Sequence, residues 1–156
     1  MVSKKNAVDR EIAGAIAELL EALTRDIVSR EFTRDLNPAQ WAALRFVNRA
    51  NSSARSVTAF ARARRTTTGT ATRTVAALVH KGYLRRIPST EDRRYDRLEL
   101  TAKGDEALRA DPLLEVAAAI GGLPGKQRRA LLEALLALQR VVAPERGPPG
   151  SAPASR

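Results

Sequence analysis

At Gly82 the apolar residues of this chain change their period, and no other feature of the sequence restricts its fold so sharply. Before that point the spacing is helical. Ser56 can cap a short helix over Val57–Arg64, Arg65-Thr66-Thr67 interrupts the apolar pattern and offers another cap, and from Thr68 to Lys81 the residues Ala71, Val75, Leu78 and Val79 share one face. Gly82 stands where a helix stop wants a residue tolerant of positive φ. Beyond it, Tyr83, Leu84 and Ile87 give a short extended run, Pro88-Ser89-Thr90-Glu91-Asp92 has turn composition, and Tyr95 to Leu100 alternates at its end as a strand does. Two helices separated by about three residues of turn chemistry predict a helix-turn-helix, followed here by a hairpin with a basic tip.

Helices are expected on both sides of this unit. From Val8 to Phe32 the positions Val8, Ile12, Ile16, Leu19, Leu20, Leu23 and Ile27 step by three and four, which draws one apolar stripe opposite Glu11, Glu18, Glu21 and Arg25. A second helix opens at Asn37-Pro38-Ala39-Gln40, where Asn37 can cap, Pro38 loses nothing by lacking an N–H, and Gln40 holds the third position of a capping box. Trp41, Leu44 and either Val47 or Phe46 form its buried face, and Asn48 to Ser53 ends it. Thr101 caps a helix running from Ala102 to about Ile120 that Pro112 bends or breaks. After the turn marked by Gly121, Gly122, Pro124 and Gly125, a helix from Lys126 to Val142 is apolar on more than one face. The proline-rich residues 144–156 are expected to be disordered.

The chain carries 27 Lys and Arg against 17 Asp and Glu, a formal charge of +10. Such an excess favours polyanions only where it is concentrated. Between Ala54 and Arg97 it is: Arg55, Arg62, Arg64, Arg65, Arg73, Lys81, Arg85, Arg86, Arg93, Arg94 and Arg97 face only Glu91, Asp92 and Asp96. With no cysteine there is no disulfide or thiol chemistry, and with one histidine, no glycine-rich phosphate loop and no Ser-His-Asp constellation, no catalytic residue, metal or cofactor is expected. The longest uncharged stretch, Val116 to Gly125, is too short to span a membrane, and the opening residues lack the apolar core of a signal peptide, so a cytoplasmic protein is expected.

A helix-turn-helix with a trailing hairpin is a winged helix, and the residues here resemble one family of them. Phe60-Ala61, Thr67, Leu78 and Gly82, then Tyr83-Leu84-Arg85-Arg86, Glu91-Asp92-Arg93-Arg94 and Leu100-Thr101-Ala102-Lys103-Gly104, look like the multiple antibiotic resistance regulator (MarR) family over roughly Leu36 to Leu108. The Asp-Arg-Arg of the wing ahead of Leu-Thr-x-x-Gly is the most specific element. Arg64 and Arg65 depart from the pattern, standing where relatives usually place an apolar residue and a turn glycine, and Thr66 replaces the usual valine. The resemblance implies a mostly α fold with a small β-hairpin wing. Its parts are an N-terminal dimerisation helix (1–36), a winged helix-turn-helix lobe that binds DNA (37–101), C-terminal dimerisation helices (102–143) and the tail (144–156).

The chemistry of each part follows from its residues. A helix entering the major groove needs short hydrogen-bonding side chains near its N-terminus, and Thr67, Thr68, Thr70 and Thr72 with Arg73 are such a set. With Ala71 and Val75 inward, Thr68, Thr72 and Arg73 face outward. Arg73 can donate to guanine O6 and N7 or grip a phosphate, and threonine can bond bases or phosphates or touch thymine methyls. In the wing, Asp92 would hold Arg93 or Arg94, and the resemblance implies that Arg94 enters a narrow minor groove. Arg55, Arg85 and Arg97 are the expected phosphate partners, which position without specifying. Trp41 reads as core and His80 as a surface or dipole-compensating residue.

Leu-rich surface on the terminal helices predicts a homodimer, whose two recognition helices would meet a pseudo-palindromic duplex one turn apart. By resemblance alone, a small aromatic or amphipathic effector binds between the dimerisation helices and the DNA lobe and lowers operator affinity. The alternative function is a nonspecific architectural DNA-binding protein.

Overall fold

The structure, a computed structural model, describes residues 2–88 and 96–142, with side chains from residue 6 onward. It divides into one compact unit ending at Leu114 and a second beginning at Glu115.

Helix α1 (Val2–Arg30) begins before its apolar stripe does, because the residues preceding Val8 are mostly polar in sequence and add nothing to that stripe. Val8, Ile12, Ile16, Leu19 and Leu23 all remain exposed. The chain leaves α1 through a tight turn closed by the Leu36 N–H on the Thr33 carbonyl (2.9 Å). Arg34 (φ 55°) and Asp35 (φ 62°) occupy its two left-handed positions. The Tyr83 hydroxyl donates to the Arg34 carbonyl (2.8 Å), and the Lys81 ammonium donates to that of Asp35.

Helix α2 (Pro38–Arg49) starts with the expected capping box: Asn37 Oδ1 accepts the Gln40 N–H (3.0 Å) and Gln40 Oε1 accepts the Asn37 N–H (3.2 Å). Of the two candidates for its third buried position, Val47 is the one enclosed. Phe46 is half-buried with its ring 5.6 Å from that of Phe60. A single 3-10 turn, Ser52–Ala54, leads to α3 (Val57–Arg64), capped by Ser56, whose side chain accepts the Ala59 N–H.

Helices α3 and α4 (Thr68–His80) end in the same way. At α3, Thr66 N–H reaches the Ala61 carbonyl and Arg65 N–H that of Arg62; at α4, Tyr83 N–H reaches Leu78 and Gly82 N–H reaches Val79. Such a closure puts its penultimate residue in the left-handed region. Gly82 takes φ 77° there without cost, whereas Arg65 takes φ 51° as a strained substitute for the turn glycine.

Strands β1 (Leu84–Pro88) and β2 (Asp96–Leu100) pair antiparallel with Leu84 opposite Leu100 and Arg86 opposite Leu98. Pro88 ends β1 opposite Asp96 instead of opening the turn, which a strand at the edge of a sheet tolerates. The outer edge of β2 is also used: Leu98 N–H donates to the Arg55 carbonyl at 2.7 Å. Trp41, Leu44, Leu78, Leu84 and Leu98 are fully enclosed between the helices and the hairpin, each contributing about 1.5–3 kcal/mol.

Pro112 breaks the helix expected to run to Ile120. Helix α5 (Ala102–Arg109), capped by Thr101, stops short of it, and α6 (Leu113–Gly121) starts after it, with Asp111 Oδ1 accepting the Leu113 N–H (2.9 Å). The same Asp111 is one of three members of the lobe's buried charge cluster. Arg45 of α2 donates through Nε and Nη2 to both its oxygens (2.6 and 2.5 Å) and through Nη1 to Glu31 just after α1 (2.5 Å). One guanidinium thus ties together the end of α1, the middle of α2 and the α5–α6 corner, while lying 5.7 Å above the Trp41 ring.

In the second unit, Arg128 of α7 (Gly125–Val142) donates to the Gly121 carbonyl at the end of α6 (2.7 Å). Leu132, Leu135, Leu136, Leu138, Val141 and Val142 are exposed along α7. Among the described residues, no helix is long and apolar enough to cross a membrane.

Candidate nucleic-acid interface

Helix α4 owes its start to threonine. Thr67 Oγ1 accepts the Thr70 N–H (3.2 Å), and the two hydroxyls lie 2.9 Å apart. One turn on, the Thr72 hydroxyl donates to the Thr68 carbonyl (2.8 Å) and that of Thr74 to the Thr70 carbonyl (3.0 Å), the usual back-bonding of threonine inside a helix. Ala71, Val75 and Leu78 are fully buried, which turns Thr67, Thr68, Thr70, Thr72 and Arg73 to the solvent. The Arg73 guanidinium has no hydrogen bond or ion pair with any described residue.

Beside this helix lies a recess of about 280 Å³ lined by Ser56, Val57 and Thr58 from the start of α3, Thr68 and Thr72 from α4, Arg86 from β1 and Asp96 from β2. Two helix N-termini open near it, and both bring unpaired N–H groups and a partial positive charge. Arg86 adds a full charge, held loosely by Asp96 at 3.7 Å with both side chains still accessible. This recess can take an anion. Arg86 was absent from the candidate residues read from the sequence, although the two-residue period of β1 carries a signal: Arg86 shares the face of Leu84 and therefore turns toward the helices.

The other arginines are differently placed. Arg85 and Arg97 meet around Glu99: Arg85 Nη2 donates to one carboxylate oxygen at 2.9 Å and Arg97 Nη2 to the other at 2.6 Å. The hydrogen bond from Arg85, joined by that from Arg97 and opposed only by partial desolvation, holds the Glu99 carboxyl below its ordinary pKa. Arg55 is half-buried and its Nε donates to the Ala50 carbonyl (3.0 Å), so it also braces the lobe. His80 is exposed at the end of α4 and Trp41 is wholly buried. Asp92, Arg93 and Arg94, the expected wing tip, lie outside the described residues.

A helix-turn-helix whose second helix bears an exposed Thr/Arg surface, backed by a hairpin rooted beside that helix, defines the winged helix class of nucleic-acid-binding proteins. A model of the MarR family, a family of transcription regulators, matches residues 34–94, and the winged lobe is similar to that family. The fold is similar to that of Streptococcus pneumoniae FabT in complex with DNA, with 21% identity, TM-score 0.66 and coverage of 83% of this chain and 96% of that one. It is similar to the S. aureus MepR–DNA complex, with 14% identity, TM-score 0.63 and the same coverages of 83% and 96%. S. aureus MepR bound to ethidium bromide matches at 14% identity and TM-score 0.56, over 82% of this chain and 94% of that one. A comparison with curated protein sequences finds no match.

Proposed function

We propose that this chain is a sequence-specific DNA-binding transcriptional regulator, acting as a repressor from a pseudo-palindromic operator that it binds as a homodimer. The observation that carries this reading is the surface of α4: Thr68, Thr72 and Arg73 exposed opposite a buried Ala71–Val75–Leu78 face, with the Arg86 recess alongside. The recognition helix would enter the major groove while the recess receives a backbone phosphate. Thr68 and Arg86 join Arg55, Arg85 and Arg97 as phosphate partners, and Arg94 enters the minor groove while Asp92 holds Arg93 or Arg94. The exposed apolar residues of α1 and α7 are the surfaces that a second copy would cover. The two MarR-type regulators solved with DNA share this fold.

Release by a small aromatic or amphipathic effector belongs to the same reading. It is supported by a cavity of about 440 Å³ lined by Ala42, Arg45, Phe46, Arg49, Ala50, Arg64 and Leu113, in which apolar walls meet three guanidinium groups.

Selecting bound duplexes from a random pool with the full chain, then competing the winner against unrelated duplex, tests the function. An inverted repeat held against a large excess of competitor is expected. Equal binding of every duplex would replace this reading with that of an architectural DNA-binding protein.

Two variants sharpen the roles. Arg73→Ala should weaken operator binding by about 1–3 kcal/mol and relax one base position if the guanidinium reads guanine. A uniform loss over all sequences would move Arg73 to the phosphates. Glu99→Gln keeps the side-chain shape but removes the charge that Arg85 and Arg97 share, so affinity should rise severalfold and the slope of log K against log salt should steepen by about 1. An unchanged slope would take both arginines out of the interface.

A further inference from the structure

Residues of an α-helix project about 100° apart, so Gly69, Arg73, Ala76 and His80 form the ridge of α4 opposite its buried face. This ridge is nearly bare at the end that carries Arg73. Gly69 has no side chain, and a Cβ built there meets nothing within 4 Å, so neither packing nor a left-handed backbone demands glycine. Glycine inside a helix is instead a cost. A gain must therefore come from outside the lobe, and the closest approach of backbone to a ligand is the gain that glycine alone provides.

The threonines flanking the ridge are not equivalent. A hydroxyl carries a single proton. Thr72 has committed its proton to the Thr68 carbonyl and Thr74 its own to the Thr70 carbonyl, while Thr67 and Thr70 are bonded to each other. Thr72 is left with oxygen lone pairs and a methyl group, neither of which can serve a phosphate oxygen or the O6 and N7 acceptors of guanine. An A·T pair answers both, because its major-groove edge shows the adenine amino donor and, on the far side of the thymine O4, the thymine methyl.

We propose that Gly69 and Thr72 are specificity-determining residues. The bare backbone at Gly69 lets α4 sit against the base edges so that Arg73 takes a guanine, and Thr72 selects an adjoining A·T pair through its methyl group and its acceptor oxygen. The proposal rests on the operator-binding reading above.

The test uses the full chain as wild type, Gly69→Ala, Thr72→Val and Thr72→Ser, each titrated against the duplex selected by the wild type, against the same duplex with uracil for thymine, and against unrelated duplex. The wild-type selection should return a guanine beside an A·T pair in each half-site. Loss of the thymine methyl should weaken wild-type binding severalfold and leave Thr72→Ser indifferent, whereas Thr72→Val should keep the methyl preference with lower affinity. Gly69→Ala should melt higher than wild type yet bind the selected duplex about tenfold more weakly, with unrelated duplex bound as before. Full operator affinity in Gly69→Ala, or equal wild-type binding of thymine and uracil duplexes, overturns the proposal. An inverted repeat with no A·T pair beside a guanine overturns it too while leaving the regulator reading intact; a wild type that recovers no common sequence removes that reading itself.

Discussion

Arg45→Ala is expected to lower the unfolding free energy by about 3–5 kcal/mol, the usual loss when one member of a buried ion cluster is removed. Glu31 is only 6% exposed and Asp111 only 8%, so neither carboxylate can recover the lost partner from water. In the intact lobe, burial works against the charge on Arg45, but the hydrogen bonds that it donates to Asp111 and Glu31 outweigh it and raise the guanidinium pKa above its ordinary value. At Asp111 burial favours the protonated form, yet the hydrogen bonds from Arg45 and from the Leu113 N–H prevail and hold the carboxyl below its ordinary pKa. A carboxyl depressed in the folded state gives stability that is fully present above its unfolded pKa of about 3.9 and is lost as pH falls through the lower folded value. In Arg45→Ala the main depressing partner is gone and burial remains. The deficit relative to wild type should therefore widen as pH rises from about 3 to 7. Denaturant unfolding followed by the fluorescence of Trp41, the single tryptophan and a neighbour of Arg45, reads both effects. A deficit independent of pH would show that Arg45 stabilises the lobe by packing alone.

This cluster also marks what the sequence could and could not disclose. Four helix caps were legible, because Asn37, Ser56, Thr67 and Thr101 act within three residues of themselves and the chemistry is local. The inward face of α4 and the antiparallel hairpin followed from period, which depends on backbone geometry alone. Arg45 and Asp111 are 66 positions apart, and no periodicity announces such a pairing. The same holds for Glu99: seen along the chain, Arg85 and Arg97 are unopposed bases, and only the register that sets Arg85 opposite Glu99 reveals the carboxylate between them. The left-handed Arg65 is an intermediate case. The sequence placed an arginine where a turn glycine was expected, and the backbone keeps the glycine conformation without the glycine.

Gly104→Ala is expected to destabilise the lobe by about 2–3 kcal/mol even though alanine is the better helix former. Gly104 lies in the first turn of α5, its N–H bonded to the capping Thr101 hydroxyl oxygen (3.2 Å). A Cβ there would stand 2.3 Å from the Tyr83 carbonyl oxygen and 3.0 Å from Leu100 Cδ2. Leucine can turn aside, but the Tyr83 carbonyl cannot. It accepts the Thr101 N–H at 3.1 Å and the Thr101 hydroxyl at 3.2 Å, while the Tyr83 N–H closes the end of α4 on Leu78. Relief of the clash must therefore push α5 outward or shift the junction of recognition helix and wing, and either movement displaces Arg86 and Thr72 from each other. The glycine of Leu100-Thr101-Ala102-Lys103-Gly104 is thus required by a backbone approach, which explains in physical terms why this motif closes the wing. Gly69→Ala provides the internal comparison: the same substitution, also in the first turn of a helix, meets open space and should raise the melting temperature that Gly104→Ala lowers. Thermal unfolding of the two variants beside wild type checks the pair, and a Gly104→Ala chain melting at or above wild type would mean that the Tyr83–Thr101 junction is not the fixed point on which the wing is mounted.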